Sequence, residues 1–348
     1  MDRLEPLTLA RNGTLAGALD QVAPFLPDVL MSRQSLDHTR RVAALFPSDA
    51  VDFFGFESRL GDVASSSTDC ALNLSPSGAR ALARDAIGPD TELWRRIGRF
   101  YRLWEETHRD PFADAPATWL EFDASAVEPS PNLLFGYWPD DEQADRPWRW
   151  MQDSVFPMLF GGNYSAPLRD SLDRCFHACP PGTVDFQIGL MLARPIQAVR
   201  LCIFDLPIDA LPGYLDAIGW TGDRAGLERL IGAFRPHCDF VGLHFDVAAQ
   251  VFPHIGIEPN FRSGSWSRQP HREPRWQGLW QVLTEAGLLR EAKRDALLGW
   301  TGHQQVILDD IPTLLLRGLS HIKVVQAGDG SAIAKAYFGI ALREAAQP

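Results

Sequence analysis

Five stretches of this chain each read as strand, turn, strand. They are VDFFGFESRLGDVASSSTDCALNLS (51–75), TWLEFDASAVEPSPNLLFGYWP (118–139), VDFQIGLMLARPIQAVRLCIFDL (184–206), CDFVGLHFDVAAQVFPHIGIEPNF (238–261) and the segment 319–340, which contains HIKVVQAGDGSAIAKAYFGI. Period-2 alternation of apolar and polar residues on either side of a Gly-, Asp-, Ser- or Pro-rich break is the pattern of a β-hairpin. The segments between them, 77–108, 151–178, 210–236 and 274–298, carry apolar residues at helical spacing, as does 14–46 ahead of the first hairpin. Gly-Trp-Thr-Gly follows an amphipathic run twice, at 219–222 and 299–302. A strand-strand-helix-helix cadence repeated over most of a chain marks a repeat architecture.

A hairpin backed by helices buries one sheet face and leaves the other to be dealt with. Closing ten antiparallel strands into a barrel removes the edges and turns the second face into a lumen. The expected fold is therefore α+β: a ten-stranded antiparallel β-barrel of five repeated ββαα units inside an outer ring of helices, formed by one domain over 1–348. With 348 residues, 45% of them hydrophobic, the chain can fill so large a core. Trp94, Trp104, Trp276, Trp280 and Trp300 fall in the helical segments and are expected to pack helices against the barrel.

Parity sorts the strand residues into two faces. His321 and Lys323 share one face of the last hairpin with Lys335 and Tyr337, opposite Ile322, Val324, Ala334, Ala336 and Phe338. Glu57 and Arg59 fall with Phe53 and Gly55. Glu121 and Asp123 fall with Trp119, Arg200 with Cys202, His244 and Asp246 with Gly242, and Glu258 with Gly256. Arg194 sits at a turn and escapes the assignment. Small residues beside charged ones suggest room for a ligand, and charge buried in a lumen needs a partner or a ligand.

Each of these residues has an ordinary alternative. Strand arginines and lysines are commonly solvated or salt-bridged, Glu57, Glu121 and Glu258 are candidate partners for them, and His244 and His321 are candidate structural histidines. Cys175, His177 and Cys179 have metal-like spacing but lie on a helix that ends in Pro-Pro, so no metal is expected there. Net charge is −11, which argues against nucleic acid and against a polybasic membrane surface. Five scattered cysteines without a CxxC pair suit a reducing compartment, and the N-terminus has no signal-peptide pattern, so the expected location is the cytoplasm. GxSxG, HExxH, GxGxxG and GxxxxGK[ST] are absent.

On this cadence, and on the Lys-x-Tyr-Phe of 335–338, the chain resembles the ABBA-type aromatic prenyltransferases, whose barrel is built from αββα units. The resemblance implies transfer of an allylic isoprenyl group from its diphosphate to an aromatic or peptide side-chain acceptor, in natural-product biosynthesis. It implies that lysines and arginines hold the diphosphate and tyrosines shield the allylic cation, which maps directly onto Lys335 and Tyr337. No DDxxD motif appears, as suits a family that needs none; no cofactor is required, and Mg²⁺ would assist only by partly neutralising the diphosphate. The chemistry fits the lumen residues. Fixed cations stabilise the leaving diphosphate, π faces stabilise the allylic cation, and a carboxylate or imidazole holds or deprotonates the acceptor. The expected diphosphate ligands are Arg59, Arg194, Arg200, Lys323 and Lys335, with Tyr337 as shield and Glu57, Glu121 and His244 toward the acceptor. The competing class is a non-enzymatic barrel that binds a peptide or lipid, whose lumen would be mainly apolar.

Overall fold

The computed structural model describes residues 7–9, 13–61, 67–107, 118–137, 145–180, 183, 185–194, 198–262, 269–308 and 311–344. Its twelve strands are β1 (Leu7–Leu9), β2 (Val51–Arg59), β3 (Thr68–Leu74), β4 (Thr118–Phe122), β5 (Pro131–Tyr137), β6 (Asp185–Leu190), β7 (Val199–Phe204), β8 (Phe240–Val247), β9 (Val251–Asn260), β10 (Gly302–Leu308), β11 (Ile311–Gln326) and β12 (Ala332–Glu344). Ten of them close a ring in the order β2 to β9, then β11 and β12, with β12 returning to β2. Every contact round the ring is antiparallel. The barrel and its five hairpins are those expected from the alternation. The turns expected at 62–66 and 195–197 lie outside the described residues.

One of these hairpins extends further than expected. The arm read as starting at 319 is the far half of a 16-residue strand, β11. Its near half pairs with β10, which adds β1 beyond it in parallel, while its last three residues meet β9 and close the ring. The second Gly-Trp-Thr-Gly therefore opens a strand instead of only ending a helix.

Helices fill the intervals as expected, and local chemistry sets their ends. Ser32, Ser75, Ser165 and Asp223 each accept a backbone N–H from the first turn of the following helix, and left-handed Gly161 and Gly219 stop two others. The outer barrel face supplies the core. Phe56, Phe338 and Trp300 meet with ring centroids 5.4–6.2 Å apart, and Trp94 and Trp104 pack on Phe122 and Phe135. All five helical tryptophans named above are buried. Each such aromatic contributes about 1.5–3 kcal/mol by leaving water. Among the described residues no helix is long and apolar enough to cross a membrane, and all five cysteines are free. Cys175 faces the core while Cys179 turns toward the Tyr214 hydroxyl; among the described residues no three metal-ligating side chains gather.

Candidate active site

Alternation sends Phe54, Phe56, Leu120, Phe122, Ile322, Val324, Ala334, Ala336 and Phe338 outward into the helical layer, where all are buried. The opposite set faces inward. In the last hairpin His321 stands across from Tyr337 and Lys323 across from Lys335, and β12 then sets Tyr337 opposite Glu57 on β2. Two adjoining cavities result. The first, about 330 Å³, is bordered by Arg194, Arg200, His244, Asp246, His254, Lys323 and Lys335. The second, about 110 Å³, is bordered by Phe53, Glu57, Asp69, Trp119, Glu121, Asp123, Ser320, His321 and Tyr337. Arg194, Arg200 and Lys335 border both.

Most of these charges are compensated within the protein. Arg200 donates from Nε and one terminal nitrogen to both oxygens of Asp246, at 2.8 and 3.0 Å, and His254 Nε2 lies 2.9 Å from the same carboxylate. Burial would raise Asp246, yet His254 and Arg200 outweigh it and hold the carboxyl well below its usual range. Arg194 makes the same two-pronged contact with Asp123, at 3.0 and 2.7 Å. Lys335 donates to Glu57 at 2.5 Å. Against the burial that would raise it, the charges of Lys335 and Lys323 bring Glu57 down to about 2. Glu258 sits 2.8 Å from His244 Nε2 and 3.4 Å from His321 Nε2. Burial and the charge of Lys323 lower His244 to about 4, and burial also lowers His321.

Two charges stand apart. Lys323 is 8% exposed, and among the described residues no carboxylate or hydrogen-bond acceptor meets its ammonium. Its Nζ lies 4.5 Å from the centre of the Tyr337 ring. Burial lowers its pKa, with Glu57 opposing. Glu121 likewise has no hydrogen bond or ion pair among the described residues, and burial raises its carboxyl. Beside it Asp69 stands directly across from Glu57, an arrangement that disfavours charge on both. Burial first, then the Glu57 charge, pushes Asp69 up to about 6, although it accepts the Ala124 N–H at 2.7 Å.

The cations expected to converge do so except for one. Arg194, Arg200, Lys323 and Lys335 border the first cavity. Arg59 has the lumen parity, opposite Lys335, but stands exposed at the end of β2 and borders neither cavity. The expected acceptor residues are divided. Glu57 and Glu121 line the second cavity and His244 the first. The glycines read as room for a ligand are filled instead by neighbouring side chains. A Cβ on Gly256 would lie 3.2 Å from Cδ of Lys323, whose stem passes over it. One on Gly55 would lie 2.8 Å from the Phe53 ring, which floors the second cavity. Asp69, His254 and Ser320 were not singled out from sequence. The alternation of TDCALNL puts Asp69 on the lumen face by the same rule that placed Glu57, whereas nothing local announces Ser320.

No protein-family model matches the sequence, and no curated protein matches it. Among solved structures the chain is similar to 5-dimethylallyltryptophan synthase from Streptomyces coelicolor, at 14% identity over 94% of this chain and 97% of that one, with a TM-score of 0.49. It is similar to AnaPT from Neosartorya fischeri at 11% identity, covering 94% and 92%, with a TM-score of 0.48. It is similar to the NotF prenyltransferase at 10% identity, covering 88% and 87%, with a TM-score of 0.50. At such identities the likeness is one of fold: the chain has the closed αββα barrel of the aromatic prenyltransferases, as a distant resemblance.

Proposed function

We propose that this barrel transfers an allylic isoprenyl group from its diphosphate to an aromatic or peptide side-chain acceptor. The observation that carries the reading is Lys323, a cation buried in the wall of the first cavity that no carboxylate contacts directly among the described residues. Such a charge is costly to keep dry, and an anionic ligand in the cavity would supply what it lacks. In this reading Lys323, Arg200 and Lys335, with Arg194 at the turn, receive the diphosphate as its C–O bond breaks and the electron pair leaves with it. Tyr337 shields the allylic carbon on the part of its ring where Lys323 Nζ now stands, the lysine turning to the diphosphate while His321 stays stacked on the ring. Glu57 and Glu121 grip the acceptor in the second cavity, and His244 braces the wall beside it. Arg59 serves only at the outer rim. No metal is required, and Mg²⁺ would act by partly neutralising the diphosphate. The barrel likeness to a prenyltransferase supports the reading as analogy of fold.

The test is titration with dimethylallyl and geranyl diphosphate, followed by assay of pyrophosphate release with indole, phenol, guanidine and peptide acceptors. Product is detected by mass spectrometry as the gain of isoprene units. Lys323→Ala and Lys335→Ala are expected to weaken diphosphate binding at least tenfold. Failure to bind or turn over any allylic diphosphate, with a peptide held tightly in the lumen, would make this a binding barrel instead.

A further inference from the structure

The register of β11 contains one irregularity, and it lies at the second cavity. Leu319 pairs with Phe338 and His321 with Tyr337, which leaves Ser320 as an extra residue with no partner on β12. Neighbouring residues of a regular strand point to opposite faces. At this bulge Ser320 and His321 both border the second cavity. The Ser320 Oγ lies 3.0 Å from His321 Nδ1, and the other ring nitrogen, Nε2, lies 3.4 Å from Glu258 Oε2. The ring is stacked on Tyr337 at 4.2 Å and 18°, which fixes its plane.

The geometry points to a proton relay, Ser320 to His321, with Glu258 as positioning residue, that takes the proton released by the acceptor. The carboxylate beside Nε2 favours the tautomer with hydrogen there and leaves the Nδ1 lone pair to accept from the serine hydroxyl. As the acceptor atom bonds to the allylic carbon and diphosphate departs with the C–O electron pair, the proton lost by that atom passes to Ser320 Oγ. The serine's own proton passes to Nδ1, and the imidazolium so formed faces Glu258. The groups around the ring are Glu258 on β9, His244 on β8, Glu57 on β2, Lys323 on its own strand, and Tyr337 and Lys335 on β12. Burial lowers the His321 pKa, which favours the unprotonated ring as the acceptor arrives, and the Glu258 charge offsets part of that cost once the imidazolium forms. Glu57 is the poorer base, because its carboxylate is already held by Lys335.

This inference rests on the prenyl-transfer reading, so its test follows two rates in one reaction: pyrophosphate release and prenylated product. Ser320→Ala and His321→Gln are expected to lower product formation by roughly 10²-fold or more. Pyrophosphate release continues in both, with water capturing the allylic group as prenyl alcohol. His321→Gln is expected to lose the acid limb of the wild-type pH profile. Glu258→Gln removes the charge that raises His321 and is expected to move that limb to lower pH, which a structural lesion would not do. Ser320→Thr, keeping the hydroxyl, is expected to retain product formation even if His321→Gln fails to fold. Product within about threefold of wild type in Ser320→Ala and His321→Gln, with an unchanged pH profile, overturns the relay alone. Equal loss of both rates also overturns it, since the lesion is then in donor handling. A wild type inert toward every allylic diphosphate overturns the functional reading and the relay with it.

Discussion

The two cavities share three side chains and differ in how their charges are resolved. Around the first, Arg200 and Arg194 are each clamped by a carboxylate through two hydrogen bonds, and Lys323 is the cation left over. Around the second, Glu57 is answered by Lys335, but Asp69 faces Glu57 directly across the β2–β3 pairing. Glu121 makes no hydrogen bond or ion pair among the described residues, feeling Arg200 and Lys323 only at a distance. One lumen thus holds a surplus cation on one side and surplus carboxylate on the other. A paired buried charge contributes to a rigid wall; an unpaired one is a standing cost that a ligand can relieve. The contrast separates residues that build the site from residues that await an occupant, and substitutions can probe each class.

The largest effect is expected where a pair is broken. Asp246→Ala leaves Arg200 uncompensated in the wall and should lower stability by about 3–5 kcal/mol, read as a drop in the urea midpoint at unchanged slope. The double change Arg200→Met, Asp246→Leu should recover most of that loss. A single variant within about 1 kcal/mol of wild type would erase the distinction between the cavities.

Lys323→Met should act in the opposite direction. Removing a buried charge that no carboxylate contacts directly among the described residues is expected to raise stability. The gain is no more than about 1–3 kcal/mol because Glu57 loses some support, while diphosphate affinity falls at least tenfold. Calorimetric titration beside thermal unfolding separates the two. If Lys323→Met both destabilises the protein and leaves binding intact, the lysine belongs to the wall.

Asp69 supplies a pH test. Its folded pKa, about 6, lies above its ordinary 3.8, so between those values the folded state keeps a proton that the unfolded chain has released. Stability from this group therefore declines as pH rises from 3.8 to about 6 and stays reduced above it. Asp69→Asn should flatten that decline and gain roughly 1–3 kcal/mol at pH 8. The measurement is the denaturation midpoint at pH 4, 6 and 8 for both proteins. A parallel pair of curves would show that Asp69 ionises freely. The smallest expected effect is Glu121→Gln: stability changes by no more than about 1 kcal/mol, and the acceptor KM rises with diphosphate binding unchanged.

The alternation of the strands carried the architecture because faces depend only on period. It put His321, Lys323, Lys335 and Tyr337 in the lumen and Phe338 and Ile322 behind it, and the structure agrees. Partners depend on register, which turn lengths and bulges decide at long range. That Glu57 meets Lys335, or Arg200 meets Asp246, cannot be read from either strand alone. Ser320 escapes for a sharper reason. It sits where the period itself breaks, so a parity rule sends it to the wrong face. Arg59 shows the converse, with correct parity but a place so near the strand's end that it reaches solvent. The near half of β11 and the strand β10 were missed because the helical spacing before them gave no sign that the sheet continued beyond the ring.

The ring closes through two joins of unequal character. β11 meets β9 through three residue pairs, Val324 to Gln326 against Ile255 to Ile257, while β12 meets β2 through six, joining residues near 57 to residues near 337. The loop-closure entropy of so distant a contact must be met before it yields any stabilisation, which makes it slow to form. The Lys335–Glu57 contact lies on that second join. During synthesis the first four hairpins emerge without the strand that completes their lumen, so the half-built sheet carries two open edges and a row of unanswered charges. Those at the edges are then expected to have a second role, in time instead of chemistry: inward-pointing Glu57 on β2 and Glu258 on β9 disfavour pairing of the waiting edges with another nascent chain. Pulse-labelled hydrogen exchange during refolding should find β2 and β12 protected last; early protection there would mean the barrel closes from its ends.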